Sequence, residues 1–182
     1  MEFVFTGFQP FLEHEHNPSW DAAQAAANAA GARAYELAVT FDAAATDAAW
    51  LVRPDRATVM FGLAAQSRDI RFERFAHNVR TDGPLLESRL EDRADLIRET
   101  TWDTGALARA WNTNAARLGL PTAALSRDAG NYVCNALYWH TLGRSGAQNP
   151  ALFVHIPNVT PAVAAQIGEQ VFRILSGAQA VA

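Results

Sequence analysis

The chain holds one cysteine, Cys134, in the run SRDAGNYVCNALYWHTL over 126–142. A lone thiol is either a small buried core residue or a nucleophile. Its surroundings give the second reading a chemical basis. The turn-forming Asp128-Ala129-Gly130-Asn131 precedes an amphipathic run, so Cys134 falls in the first turn of a helix starting near Asn131 or Tyr132. There the unpaired N–H groups and the positive end of the helix dipole favour a thiolate. His155, in ALFVHIP, closes an apolar strand just before Pro157. Functional groups of parallel α/β sheets gather at such carboxyl ends, so His155 reads as a base for a thiol or as a hydrogen-bonded structural histidine. Glu73 lies in a stretch of alternating charged and apolar residues. A carboxylate there either orients a histidine or pairs on the surface with Arg71, Arg74 or Arg80. The EHEH run at 13–16 invites a metal reading, but His14 and His16 are two apart and point to opposite sides of an extended loop. HExxH is absent, and no metal site is expected. Phe8 and Phe11 flank Pro10 in the first loop, where two aromatics either form an apolar pocket or simply pack that loop down.

Composition removes several chemistries. All 15 basic residues are arginine, so a Walker-type phosphate loop, a Schiff-base lysine and a Ser–Lys dyad are excluded. The net charge of −4 comes without a block of like charge, so no nucleic-acid partner is expected. A single cysteine forms no intrachain disulfide, MEFVFTGF has no basic leader region, and no apolar run reaches 18 residues. A soluble, cytoplasmic protein is the expectation. The 182 residues, 49% of them hydrophobic, suit one domain over 1–182.

Strands are expected at 2–6, 33–40, 57–62, 121–125 and 151–156, with an extended strand or hairpin arm of one polar face at 69–79. Helices are expected at 20–30, capped by Asn17 or Ser19, and at 43–53, 104–118, 131–143 and 161–176. The charged segment 80–103 reads mainly as loop with one or two helical turns. Strands alternate with helices almost throughout. The expected fold is an α/β/α sandwich of three layers around a mostly parallel, twisted central sheet.

Four separated segments together resemble the pyroglutamyl peptidase I family, the pyrrolidone-carboxylate peptidases. They are TGFQPF followed by NPS (6–11 and 17–19), GLA…I..ERFA.N (62–78), DAGNYVCN (128–135) and FVHIP (153–157), in the family's order. The resemblance implies a cysteine peptidase that removes an N-terminal pyroglutamyl residue from small peptides. It implies Cys134 as nucleophile, His155 as base and Glu73 as the orienting carboxylate, without cofactor or metal. It also implies a lactam-ring pocket using Phe8, Phe11, Tyr132 and Val133, and a homo-oligomer, dimer or tetramer. The oxyanion is then expected at the Cys134 backbone N–H.

The chain also departs from the family pattern. Leu12-Glu13 replaces a glycine pair, which is expected to deny that loop glycine-only backbone angles. Gly83 stands in register with an arginine that family members carry in the active site, and Arg80 is the candidate substitute for oxyanion or substrate support. Two other readings keep the same fold: a non-catalytic relative that binds a pyroglutamyl-like ligand, and a hydrolase of another small amide or acyl group.

Overall fold

A computed structural model describes residues 1–12, 14–81 and 86–179. In chain order the elements are β1 (Glu2–Phe8), α1 (Pro18–Ala30), β2 (Arg33–Leu37), α2 (Phe41–Leu51), β3 (Arg56–Leu63), β4 (Ile70–Glu73) and β5 (Phe75–His77). Then come β6 (Arg80–Thr81), β7 (Glu87–Ser88), β8 (Ile97–Glu99), α3 (Thr104–Leu118), β9 (Ala123–Ser126), α4 (Val133–Leu142), β10 (Ala151–Ile156) and α5 (Pro161–Gln179).

Six strands form the central sheet in the order β2-β1-β3-β10-β4-β9. β2, β1, β3 and β10 run parallel; β4 is antiparallel to β10 and parallel to β9. The two faces are covered by different helices, which makes the expected three layers. Alternation along each strand sorts the side chains. Phe5, Val59, Phe61, Ile70, Phe72, Leu152 and Val154 pack with Ala22, Ala26, Trp111, Ile167 and Val171, and so lie under α1, α3 and α5. Val4, Phe8, Met60 and Phe153 pack with Ala48, Leu51, Ala136 and Leu137, under α2 and α4. By the same period of two, Gly62, Arg71, Glu73 and His155 face α2 and α4.

Three expectations change. β4 is not a hairpin arm with a solvated polar face. It is an interior strand, hydrogen-bonded on both sides, and Glu73 is fully buried there. The segment 80–103 contains no helix among its described residues; β5 pairs with β8 and β6 with β7 in two small antiparallel ribbons. Asn78, buried in that region, accepts from Glu91 N and donates to the carbonyls of Glu91 and Asp95. One amide thereby replaces the backbone partners that a helix would have supplied. Finally, α4 begins at Val133, two residues later than an Asn131 start.

Candidate active site

The first loop is tied down by the NPS segment. Asn17 caps α1, accepting from Ser19 N at 3.2 Å and Ser19 Oγ at 2.7 Å, and donates from Nδ2 to Gln9 O at 3.0 Å. Ser19 Oγ in turn accepts the Phe8 N–H at 3.0 Å. Asn17, rather than Ser19, is the cap. Pro18, just inside the helix, has no N–H to leave unpaired. Leu12 takes the left-handed backbone region at φ 50. Such a conformation costs an L-residue about 1–2 kcal/mol. Glu13 and Gly83 lie outside the described residues.

The start of α4 presents the thiol. Tyr132, the N-cap residue, makes no side-chain cap bond, and the first intrahelical bond runs from Ala136 N to Tyr132 O. The N–H groups of Val133, Cys134 and Asn135 therefore have no intrahelical acceptor. Cys134 is half-buried above β3. Gly62 makes room for it: a Cβ on Gly62 would lie 3.0 Å from Cys134 Sγ and 2.7 Å from the Phe153 ring. In the parallel register Gly62 is the partner of His155, which brings the thiol and the imidazole over neighbouring strands.

His155 Nδ1 lies 2.8 Å from Glu73 Oε1. A carboxylate only accepts, so Nδ1 carries the proton of that bond, and Nε2 is the ring nitrogen left to exchange a proton with Cys134. Burial pushes the His155 pKa down, but the hydrogen bonds and charges of Cys134 and Glu73 outweigh it and raise the pKa to about 9. Tyr138, fully buried beneath the site, donates from its hydroxyl to Glu73 O at 2.8 Å and fixes the strand that carries the carboxylate. Glu73 Oε2 is buried and has no hydrogen-bond partner among the described residues, so the carboxylate's strong interaction is with His155.

The aromatic residues divide. Phe8 (3% exposed) and Val133 (1%) are buried in the α2/α4-side core and can form only the floor of a pocket. Tyr132 is 42% exposed, and its ring meets Phe41 edge-on at 5.5 Å. The Arg80 guanidinium lies over the other partner of that pair, 5.1 Å from the Phe41 ring centroid. Arg80 is thus brought to the Tyr132 side of the thiol. Phe11 is half-buried, 5.4 Å from the His14 ring. Among the described residues no group of three or more His, Cys, Asp or Glu could hold a metal ion, and His16 pairs with Asp21 at 2.7 Å.

Sequence reasoning passed over Phe41, Asn135, Gly62 as a spacer, and Arg71. Asn135 is fully buried; it accepts from His77 N and donates to the carbonyls of His77 and Val79, fastening the Arg80 segment to α4. Arg71 is two residues from Glu73 on a strand and so shares its face, a signal present in the alternating pattern.

A thiol at a helix start, an imidazole and a buried carboxylate bonded to that imidazole lie together on one face of a mostly parallel sheet. This is the general class of an α/β protein with a Cys-His-acid site. The particular relationship comes from comparison. The pyroglutamyl peptidase family model matches residues 1–177. The pyrrolidone-carboxylate peptidase of Thermococcus kodakarensis is 33% identical over 86% of this chain and 81% of its own. Human pyroglutamyl-peptidase 1 is 28% identical over 94% of this chain and 87% of its own. The crystal structure of Bacillus amyloliquefaciens pyroglutamyl peptidase I superimposes with a TM-score of 0.78 at 20% identity, covering 97% of each chain. Pyrrolidone carboxyl peptidase from Thermococcus litoralis gives 0.77 at 22% identity, covering 100% of this chain and 96% of that one. The chain belongs to the pyroglutamyl peptidase family.

Proposed function

We propose that this chain is a cysteine exopeptidase that releases an N-terminal pyroglutamyl residue from small peptides. The observation that carries the reading is His155, hydrogen-bonded through Nδ1 to the buried Glu73 and set over the strand next to the one beneath Cys134, in a chain of this family. The Cys134 thiolate attacks the pyroglutamyl carbonyl carbon, and the oxyanion meets the unpaired N–H groups at the start of α4. The C–N bond then breaks as His155 Nε2 gives its proton to the departing amine. Water, giving a proton to His155, attacks the thioester carbon, and the Cys134 sulfur leaves as thiolate. Glu73 holds the imidazole in the required tautomer and balances its charge.

The lactam ring suits the Phe8–Tyr132 side. It is small and uncharged, and Val133, Phe8 and Phe11 offer apolar surface while the loop backbone offers polar groups. Arg80, stacked on Phe41 beside Tyr132, supports that wall. A lone cysteine working as a thiolate fits a reducing compartment, so the cytoplasm is the proposed location. Among the described residues no helix is long and apolar enough to cross a membrane.

The test is release of a chromophoric amine from an L-pyroglutamyl amide by the reduced native protein and by Cys134→Ser. Turnover by the native protein and none by the variant is expected. A native protein that leaves the amide intact overturns the peptidase reading, and an active Cys134→Ser protein overturns the mechanism.

A further inference from the structure

The cleft continues past His155, away from the side given above to the lactam ring. Across the sheet the order is β1, β3, β10, β4. Phe8 ends β1, the Cys134 sulfur lies above Gly62 of β3, His155 stands on β10, and Arg71 of β4 is its cross-strand partner. Beside His155 lies a cavity of about 350 Å³, walled by Ala64, Gln66, Ser67, Arg71 and Asp128 among others. The departing amine must reach His155 to take its proton. The residue that leaves with it therefore sits on the His155–β4 side, in this cavity, while the acyl ring occupies the β1 side.

Arg71 is the unusual feature of that wall. It is half-buried, and among the described residues its side chain makes no hydrogen bond, ion pair or ring contact. Its neighbours in sequence behave differently: Arg74 pairs with Glu99 at 2.7 Å, and Arg80 stacks on Phe41. Among the described residues the one acidic group lining the cavity is Asp128, whose Oδ1 is occupied by the Gly130 N–H at 2.8 Å. A guanidinium held on a strand beside the reacting groups, its donors unused, is matched by a carboxylate, which it grips with two parallel N–H···O bonds.

We propose that Arg71 is a specificity residue of the leaving-group subsite, binding a carboxylate carried by the first residue released after pyroglutamate. This rests on the peptidase reading above. The carboxylate has two sources. It is the α-carboxylate when the substrate is a pyroglutamyl dipeptide, and a side-chain carboxylate when Asp or Glu follows pyroglutamate in a longer peptide.

Four substrates separate these cases: pyroglutamyl-alanine, its alaninamide counterpart, pyroglutamyl-glutamic acid α-amide and pyroglutamyl-glutamine α-amide. Within each pair only the carboxylate differs. The native protein is expected to favour the acid over its amide in kcat/KM by roughly five- to tenfold in at least one pair, chiefly through KM. The pair that shows it identifies the source. In Arg71→Gln the ratio falls to about one. Arg71→Lys retains part of it, because a point charge lacks the planar fork, and added salt shrinks it in the native protein. Ratios near one in both native pairs, or an undiminished ratio in folded Arg71→Gln, overturn the assignment while leaving the peptidase reading intact. Should the Gln variant not fold, a native preference that does not respond to salt overturns it equally. Failure of the native protein to hydrolyse any of the four removes the peptidase reading and this subsite with it.

Discussion

His155 is pulled in opposite directions, and the balance sets the pH behaviour. Burial favours the neutral ring, but bonds to Cys134 and Glu73 favour the imidazolium and carry its pKa to about 9. A folded pKa above the unfolded value of about 6.5 means the folded state binds the proton more tightly. The stability this contributes is complete below about pH 6.5, declines above it and is lost as pH rises through about 9. Chemical unfolding monitored from pH 6 to 10 should show that decline, and His155→Gln should flatten it. The same proton is the one the departing amine needs, so kcat/KM should fall along an alkaline limb near pH 9. Glu73→Gln keeps the shape and loses the charge. It should lower kcat by about 10²- to 10⁴-fold and move the alkaline limb to lower pH, since an amide cannot balance an imidazolium. A pH–rate profile of that variant with an unmoved limb contradicts the assigned role.

At the scale of elements, two local devices set up the site. The first is the Asn17 cap, which joins α1 to the aromatic loop through Ser19 and Gln9. Asn17→Ala should cost about 1–2 kcal/mol in thermal or denaturant unfolding. It should also raise KM for pyroglutamyl amides, because Ser19 loses the partner that orients its hydroxyl toward Phe8. The second is the absence of a side chain at Gly62. Phe153 is fully buried and cannot swing away, so the extra methyl of Gly62→Ala forces strain between it and the Cys134 sulfur. The expected loss is about 1–3 kcal/mol of stability together with reduced turnover. Unchanged turnover there would mean that the sulfur sits elsewhere.

For the whole molecule, the layer behind the sheet depends on two helices in close approach. α1 presents Ala22, Ala23, Ala26 and Ala27, all buried, and a Cβ on Gly168 of α5 would run into the Ala22 carbonyl. The alanine-rich composition of α1, which looks unremarkable in the sequence, is what lets α5 sit against it. Gly168→Ala should lower the unfolding midpoint by several degrees, about 1–3 kcal/mol, while leaving the pH profile of turnover in place. The central sheet adds a constraint of its own. β4 enters antiparallel between β10 and β9, and only that orientation sets Arg71 opposite His155 with Glu73 two residues further along the same face.

Period-two and helical patterning, with Asn17, Gly31, Gly119 and Gly143 as stops and starts, made ten of the elements legible from the chain alone. Cys134, His155 and Glu73 stood there as separate candidates, joined into one set only by the resemblance to family motifs. That information is local, because capping, alternation and turn chemistry act within a few residues. Other features depended on partners distant in sequence. The ribbons between Phe75 and Glu99 form through Asn78 and the β5–β8 pairing, and no local pattern announces them. Whether Glu73 was a surface charge or a buried partner turned on which strands flanked β4. Arg71 was a nearby arginine in the sequence; only the cross-strand register set it beside His155. Register and strand order are settled by burial of whole faces at once, so the residues that could react were readable in the chain, and their meeting was decided by the sheet.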